Sequence, residues 1–131
     1  KARKKNFDYL YKHLTKYPLL MPKWIKGADV CWFAFPLTTV GERGPLLRHL
    51  EKNGIETRPM FSGNITLHSA YRDSSYRVSG KLDGANTIVR DSWWLSCHPS
   101  LTKSDLKYII KVFDDFFNPD DYKKHIKLYE Q

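Results

Sequence analysis

Residues 101–117 read LTKSDLKYIIKVFDDFF, and this stretch decides the architecture. Thr102 followed three residues later by Asp105 has the spacing of a helix N-cap with its reciprocal partner, and Leu106, Ile109, Ile110, Phe113, Phe116 and Phe117 then fall on one helical stripe. So wide an apolar stripe must lie on something. Asn118-Pro119 breaks the pattern, and residues 120–131 read as a short polar terminal helix.

Working outward, Trp93-Trp94-Leu95-Ser96-Cys97 reads as a strand just upstream, preceded by a helix from Asp83, taken as its N-cap, through Ala85, Ile88 and Val89. Gly44-Pro45, then Leu46, Leu47 and Leu50, closed by Asn53-Gly54, marks another helix, since proline fits a first turn and glycine a left-handed C-terminal cap. Ile55 to Arg58 forms a short strand stopped by Pro59. Val30 to Phe35 is apolar on both alternating faces, which predicts a strand covered on both sides or pressed against a second body, with Pro36 placing its end at an edge or outside the ladder. At the start, Phe7, Leu10, Tyr11 and Leu14 recur at helical spacing up to Pro18. Alternating helices and short strands define an α+β fold, a small α/β layer with helices packed on one face of a small sheet.

A chain of 131 residues with 41% hydrophobic and 15% aromatic residues is one folded domain. The net charge of +8 raises a stand-alone module binding RNA or another polyanion as one function class. The lysines weaken it by crowding the first 26 residues and the C-terminal end, where solvated helix faces and tails carry such charge. Cys31 and Cys97 sit in apolar runs with no metal-ligand spacing, so both are expected as buried free thiols in a reducing compartment. No apolar run reaches the length of a membrane span and no signal peptide is evident, which makes the expected location cytoplasmic.

Self-contained catalysis finds no support. Ser62, Ser69, Ser96, His13, His49, His68, His98 and His125 are scattered, without a nucleophile elbow, a glycine-rich phosphate loop or a metal motif. The chemistry concentrates in residues 54–71, GIETRPMFSGNITLHSAY, a polar, turn-rich excursion carrying Arg58, Asn64 and His68 among Met60, Phe61, Ile65 and Leu67. Ordering such a loop costs roughly 1 to 2 kcal/mol of backbone entropy per residue, so it needs a surface to pack on. Arg58 either grips a phosphate or pairs with a surface acid, and Asn64 either meets a hydroxyl or satisfies its own turn.

Taken together, RKKNFDYLYKHL, WFAFPLT, LEKNGIETRPMFSGNI with AYR following, and HPSLTKSDLKYIIKVFDDFF resemble the C-terminal portion of the DegT/StrS-type pyridoxal-phosphate sugar aminotransferase family. The likeness is strongest to its lipopolysaccharide-biosynthesis branch of nucleotide-4-keto-6-deoxyhexose 3-dehydratases. GIETRxxFxGN is the branch-specific part, where ordinary aminotransferases of the family carry a histidine-containing loop. The resemblance implies the small domain of a fold-type-I enzyme, with residues 1–17 as the end of an interdomain connecting helix and 18–131 as the C-terminal small domain. It implies a missing N-terminal large domain, a homodimer and a nucleotide-sugar substrate. Pyridoxal phosphate or pyridoxamine phosphate would sit in the full-length enzyme, on a lysine or histidine upstream of this chain.

The resemblance assigns this chain no catalytic or cofactor-binding residue. Arg58 would meet an anionic part of the nucleotide sugar, Asn64 a hexose hydroxyl, with His68 a third contact. A [2Fe-2S] cluster, bound upstream in some members of the branch, gains no support from Cys31 and Cys97. The abrupt lysine-rich start reads as a helix cut near its middle. With the large domain absent, Trp24, Trp32 and Phe33 would lie open and favour self-association, while Arg58 and Asn64 would point to open space from a mobile loop.

Overall fold

The computed structural model describes residues 1–39, 41 and 43–118. Helix α1 (Ala2–Leu14) is followed by strand β1 (Phe35–Thr38), helix α2 (Arg43–Lys52) and strand β2 (Thr57–Pro59). After two short 3-10 turns come helix α3 (Asp83–Asp91), strand β3 (Ser92–Leu95) and helix α4 (Lys103–Phe117). The alternation expected from sequence is the one observed. The polar helix expected over 120–131 lies outside the described residues.

The three strands form one antiparallel sheet in the order β1-β3-β2, so β3 is central and β1 and β2 are its edges. Period-two alternation divides its two faces. Phe35, Leu37, Trp93 and Leu95 point inward and are almost fully buried, against Phe7, Leu10 and Leu14 of α1, Leu46 and Leu50 of α2, and Ile109, Ile110, Phe113 and Phe116 of α4. Each of these large side chains gains roughly 1.5–3 kcal/mol from leaving water, and together they hold the helices on one face. The indole N–H of Trp93 donates to Oγ1 of the equally buried Thr39 at 2.8 Å, so the largest core side chain leaves no orphaned donor.

α4 begins as its sequence requires: the Thr102 hydroxyl accepts from the backbone N–H of Asp105, and the Asp105 carboxylate accepts from that of Thr102. α2 ends at Asn53-Gly54, with Gly54 at φ +74° and the N–H of Ile55 donating to the carbonyl of Leu50 at 2.9 Å. Tyr17 stacks against Phe113 and Phe117 and donates its hydroxyl to Asp114, tying the end of α1 to α4.

Several expectations are corrected. β1 starts at Phe35, and in the run before it Trp32 turns to α1, where it stacks on Phe7 at 5.8 Å. Cys31, on that irregular run, is exposed, whereas Cys97 is buried with its thiol beside the carbonyls of Trp32 and Phe33. Burial pushes the Cys97 thiol above its ordinary range. Pro36 lies inside β1, tolerated on an edge strand. β2 is displaced to Thr57–Pro59 because Ile55 is occupied in capping α2. Leu82 takes the N-cap position of α3, since its carbonyl accepts from Asn86, and Asp83 becomes a first-turn acid.

Candidate functional site

The face of the sheet turned away from the core carries the candidate site. Trp94 points to this side, with Pro36 as its partner on β1 and Arg58 as its partner on β2. Phe33 meets the Trp94 ring edge-on at 5.3 Å and is 63% exposed. With Trp32, Ala34, Met60 and Phe61, the side chains of Phe33, Pro36 and Trp94 line an apolar groove of about 250 Å³. Phe61 holds a left-handed backbone at φ +35° while its side chain is 79% exposed. A non-glycine residue in that region costs on the order of 1–3 kcal/mol, and here burial does not compensate for it.

Beyond Phe61 the excursion is pinned to α3. Gly63, at φ +57°, lies against Val89. Asn64 caps the first 3-10 turn, its Oδ1 accepting from the Thr66 backbone N–H at 3.0 Å and the Thr66 hydroxyl at 2.7 Å. Its Nδ2 donates to Oδ1 of Asn86 at 2.7 Å. Residues 72–80 continue as exposed, irregular chain.

The three residues singled out by sequence have different surroundings. Arg58 is exposed and forms an ion pair with Glu56, two residues back on the same side. Asn64 does not turn to open space: it is 4% exposed and its amide is spent within the chain, because the turn and α3 offer it partners at both ends. His68 is half-buried between the two 3-10 turns, with its ring 6.5 Å from that of Tyr71. Sequence reading missed Trp94 as a wall of the site, although its alternation with Trp93 carries the signal. It also missed Asn86, whose signal is a weak helix former placed inside a helix. Of the aromatics expected to lie open, Phe33 does so, Trp24 is 44% exposed beside Phe7 and Tyr11, and Trp32 is half-buried.

Other cavities offer less. A groove of about 490 Å³ between α1 and α4 is lined by Lys5, Lys103, Asn6, Tyr9, Pro99 and Leu106 among others. It holds two lysines, but no carboxylate to partner a pyridine nitrogen and no glycine turn to cradle a phosphate. The residues of this groove do not fit pyridoxal phosphate. Among the described residues no group of three His, Cys, Asp or Glu side chains is placed to hold a metal ion, and no helix is long and apolar enough to cross a membrane.

The chain belongs to the DegT/DnrJ/EryC1/StrS aminotransferase family, whose profile matches residues 1–114. It is 34% identical over 122 residues to the lipopolysaccharide biosynthesis protein RfbH of Salmonella typhimurium, covering 88% of this chain and 28% of that protein. It is 30% identical over 120 residues to a dTDP-4-dehydro-2,6-dideoxy-D-glucose 3-dehydratase of Saccharopolyspora spinosa, covering 88% of this chain and 26% of that protein. The chain thus spans little more than a quarter of these relatives.

Solved structures share the fold. A DegT/DnrJ/EryC1/StrS aminotransferase from Brucella abortus superposes with a TM-score of 0.77 at 22% identity, over 89% of this chain and 31% of that one. The Escherichia coli GDP-4-keto-6-deoxy-D-mannose-3-dehydratase with bound hydrated pyridoxal phosphate gives 0.72 at 22% identity, over 85% and 30%.

Proposed function

We propose that this chain is the C-terminal small domain of a pyridoxal-phosphate-dependent nucleotide-sugar enzyme, with residues 1–17 as the end of a connecting helix and 18–131 as the domain. The reaction favoured is 3-dehydration of a 4-keto-6-deoxyhexose in deoxysugar or lipopolysaccharide biosynthesis. The observation that carries this is the identity of at least 30% to two relatives, one named for lipopolysaccharide biosynthesis and one a 3-dehydratase. The rest of the cytoplasmic enzyme, a larger cofactor-binding domain in a homodimer, would cover the open aromatic face.

On this reading the chain supplies substrate contacts and leaves the bond-making chemistry to the cofactor. Arg58 takes the diphosphate, because a guanidinium grips phosphate oxygens in pairs and its present partner is weakly held. An exposed ion pair is worth about 0–1 kcal/mol, so a doubly charged diphosphate displaces Glu56 readily. His68 contributes a ring at the far end of the excursion. Asn64 serves by holding the loop that presents them.

The test is Arg58→Ala in the full-length enzyme. A fall in kcat/KM for the nucleotide sugar of roughly ten- to a hundredfold is expected from losing a charge-assisted pair. An unchanged kcat/KM overturns the assignment.

A further inference from the structure

The partners of Asn64 fix the orientation of a second amide that has no role so far. The Thr66 backbone N–H can only donate, so the Asn64 atom facing it at 3.0 Å is Oδ1. The other end of the same amide is then Nδ2, which faces Asn86 and needs an acceptor there. Oδ1 of Asn86 receives it at 2.7 Å. By elimination, Nδ2 of Asn86 is the free end, and among the described residues nothing accepts from it. Asn86 is exposed on the second turn of α3, whereas Asn64 is buried. Asparagine is a poor interior residue for a helix, so its presence here is not explained by helix stability.

We propose that Asn86 is a substrate-binding residue whose outward Nδ2 donates to a hydroxyl or keto oxygen of the hexose, with Asn64 as the positioning residue that sets its orientation. This rests on the nucleotide-sugar reading above. The hydroxyl contact that sequence assigned to Asn64 passes to its neighbour because Asn64 is buried and both ends of its amide are turned to partners within the chain. An uncharged donor with a fixed direction suits a sugar oxygen, while the cation Arg58 suits the diphosphate. Both lie where the excursion meets the rest of the domain, Arg58 at its entrance and Asn86 against its middle.

Asn86→Asp separates this role from a structural one, because a carboxylate still accepts from Asn64 but has no donor to present. In the full-length enzyme, binding of GDP- and dTDP-activated 4-keto-6-deoxyhexoses is measured by calorimetry beside GDP and dTDP alone. Asn86→Asp is expected to weaken the nucleotide sugar that the wild type binds by about tenfold and to leave the matching nucleoside diphosphate unchanged, at unaltered Tm. Equal binding of both by variant and wild type overturns the proposal. So does equal weakening of both, which would mark the new charge repelling phosphate. If the variant fails to fold, a crystal structure of the wild type with the nucleotide sugar decides. Nδ2 of Asn86 within hydrogen-bonding distance of a sugar oxygen supports the role, and its absence from that contact overturns it. A wild type that binds neither nucleotide sugar removes the functional reading itself, and this proposal with it.

Discussion

Gly63 lies so close to Val89 that a Cβ built on it would meet Val89 Cγ2 at 2.6 Å and Val89 N at 2.8 Å. The flexible methyl can move, but the backbone nitrogen belongs to α3 and cannot without shifting the helix. Gly63→Ala is therefore expected to destabilise by about 1–3 kcal/mol, from overpacking plus its left-handed φ of +57°. Urea unfolding checks this, and adding Val89→Ala should recover only the part owed to the methyl.

The ion pair between Glu56 and Arg58 competes with any anion for the same guanidinium. Glu56→Gln is expected to strengthen binding of a nucleoside diphosphate to the full-length enzyme by roughly two- to fivefold, the scale of a surface ion pair. Isothermal titration measures it, and the gain should vanish in the Arg58→Ala background.

Asp114 ties α4 to Lys16 and Tyr17, and the two linked groups make stability fall at both ends of the pH range. Partial burial disfavours the Asp114 carboxylate, but hydrogen bonds from Lys16 and Tyr17 and the Lys16 charge outweigh it and hold its pKa below the ordinary 3.8. The stability this contributes is present above the unfolded pKa and is lost as pH falls through the folded one. Tyr17 behaves oppositely. Burial first, then the neighbouring Asp114, raises its phenol above the ordinary 10.0, so its contribution is present below that value and is lost as pH rises beyond it. Asp114→Asn should flatten the acid limb of a Tm-against-pH profile and Tyr17→Phe the alkaline limb.

The capping pair at the start of α4 is local and exposed, so its removal should be measurable without disturbing the core. Thr102→Ala is expected to cost about 1 kcal/mol by thermal unfolding. In Thr102→Ala the Asp105 carboxyl, held below its usual range by the Thr102 hydroxyl and backbone, should titrate closer to 3.8 by NMR.

A basic surface predicts affinity for RNA only where its cations are clustered and free. Lys4 pairs with Asp29 and Lys16 with Asp114. Titration against single-stranded RNA is expected to show weak binding at low salt and none at physiological salt. Binding that persists there would revive the polyanion-binding alternative.

Much of the fold was legible because its signals are local. The capping pair of Thr102 and Asp105 spans four residues, the α4 stripe repeats within one helix, and the Asn53-Gly54 stop sits beside the helix it ends. Strand limits were less legible: Val30 to Phe33 has the composition of a strand, yet Trp32 is taken by Phe7, 25 residues upstream. In the candidate site, the excursion and its polar residues could be read in order, but not which side chains it leaves available.

The amino-acid sequence by itself determined the order of helices and strands, the inward stripe of α4, and the family resemblance carried by residues 54–64 and 98–117, since these depend on neighbours along the chain. Only the tertiary structure decided that Asn64 is buried while Arg58 is open, that Cys31 is exposed while Cys97 is not, and that Trp94 looks outward. The reason is distance along the chain. Asn64 finds Asn86 22 residues away, Trp93 finds Thr39 54 residues away, and Cys97 finds Trp32 65 residues away. No local pattern encodes which of two adjacent polar groups will be spent on such a contact and which will remain to meet a ligand.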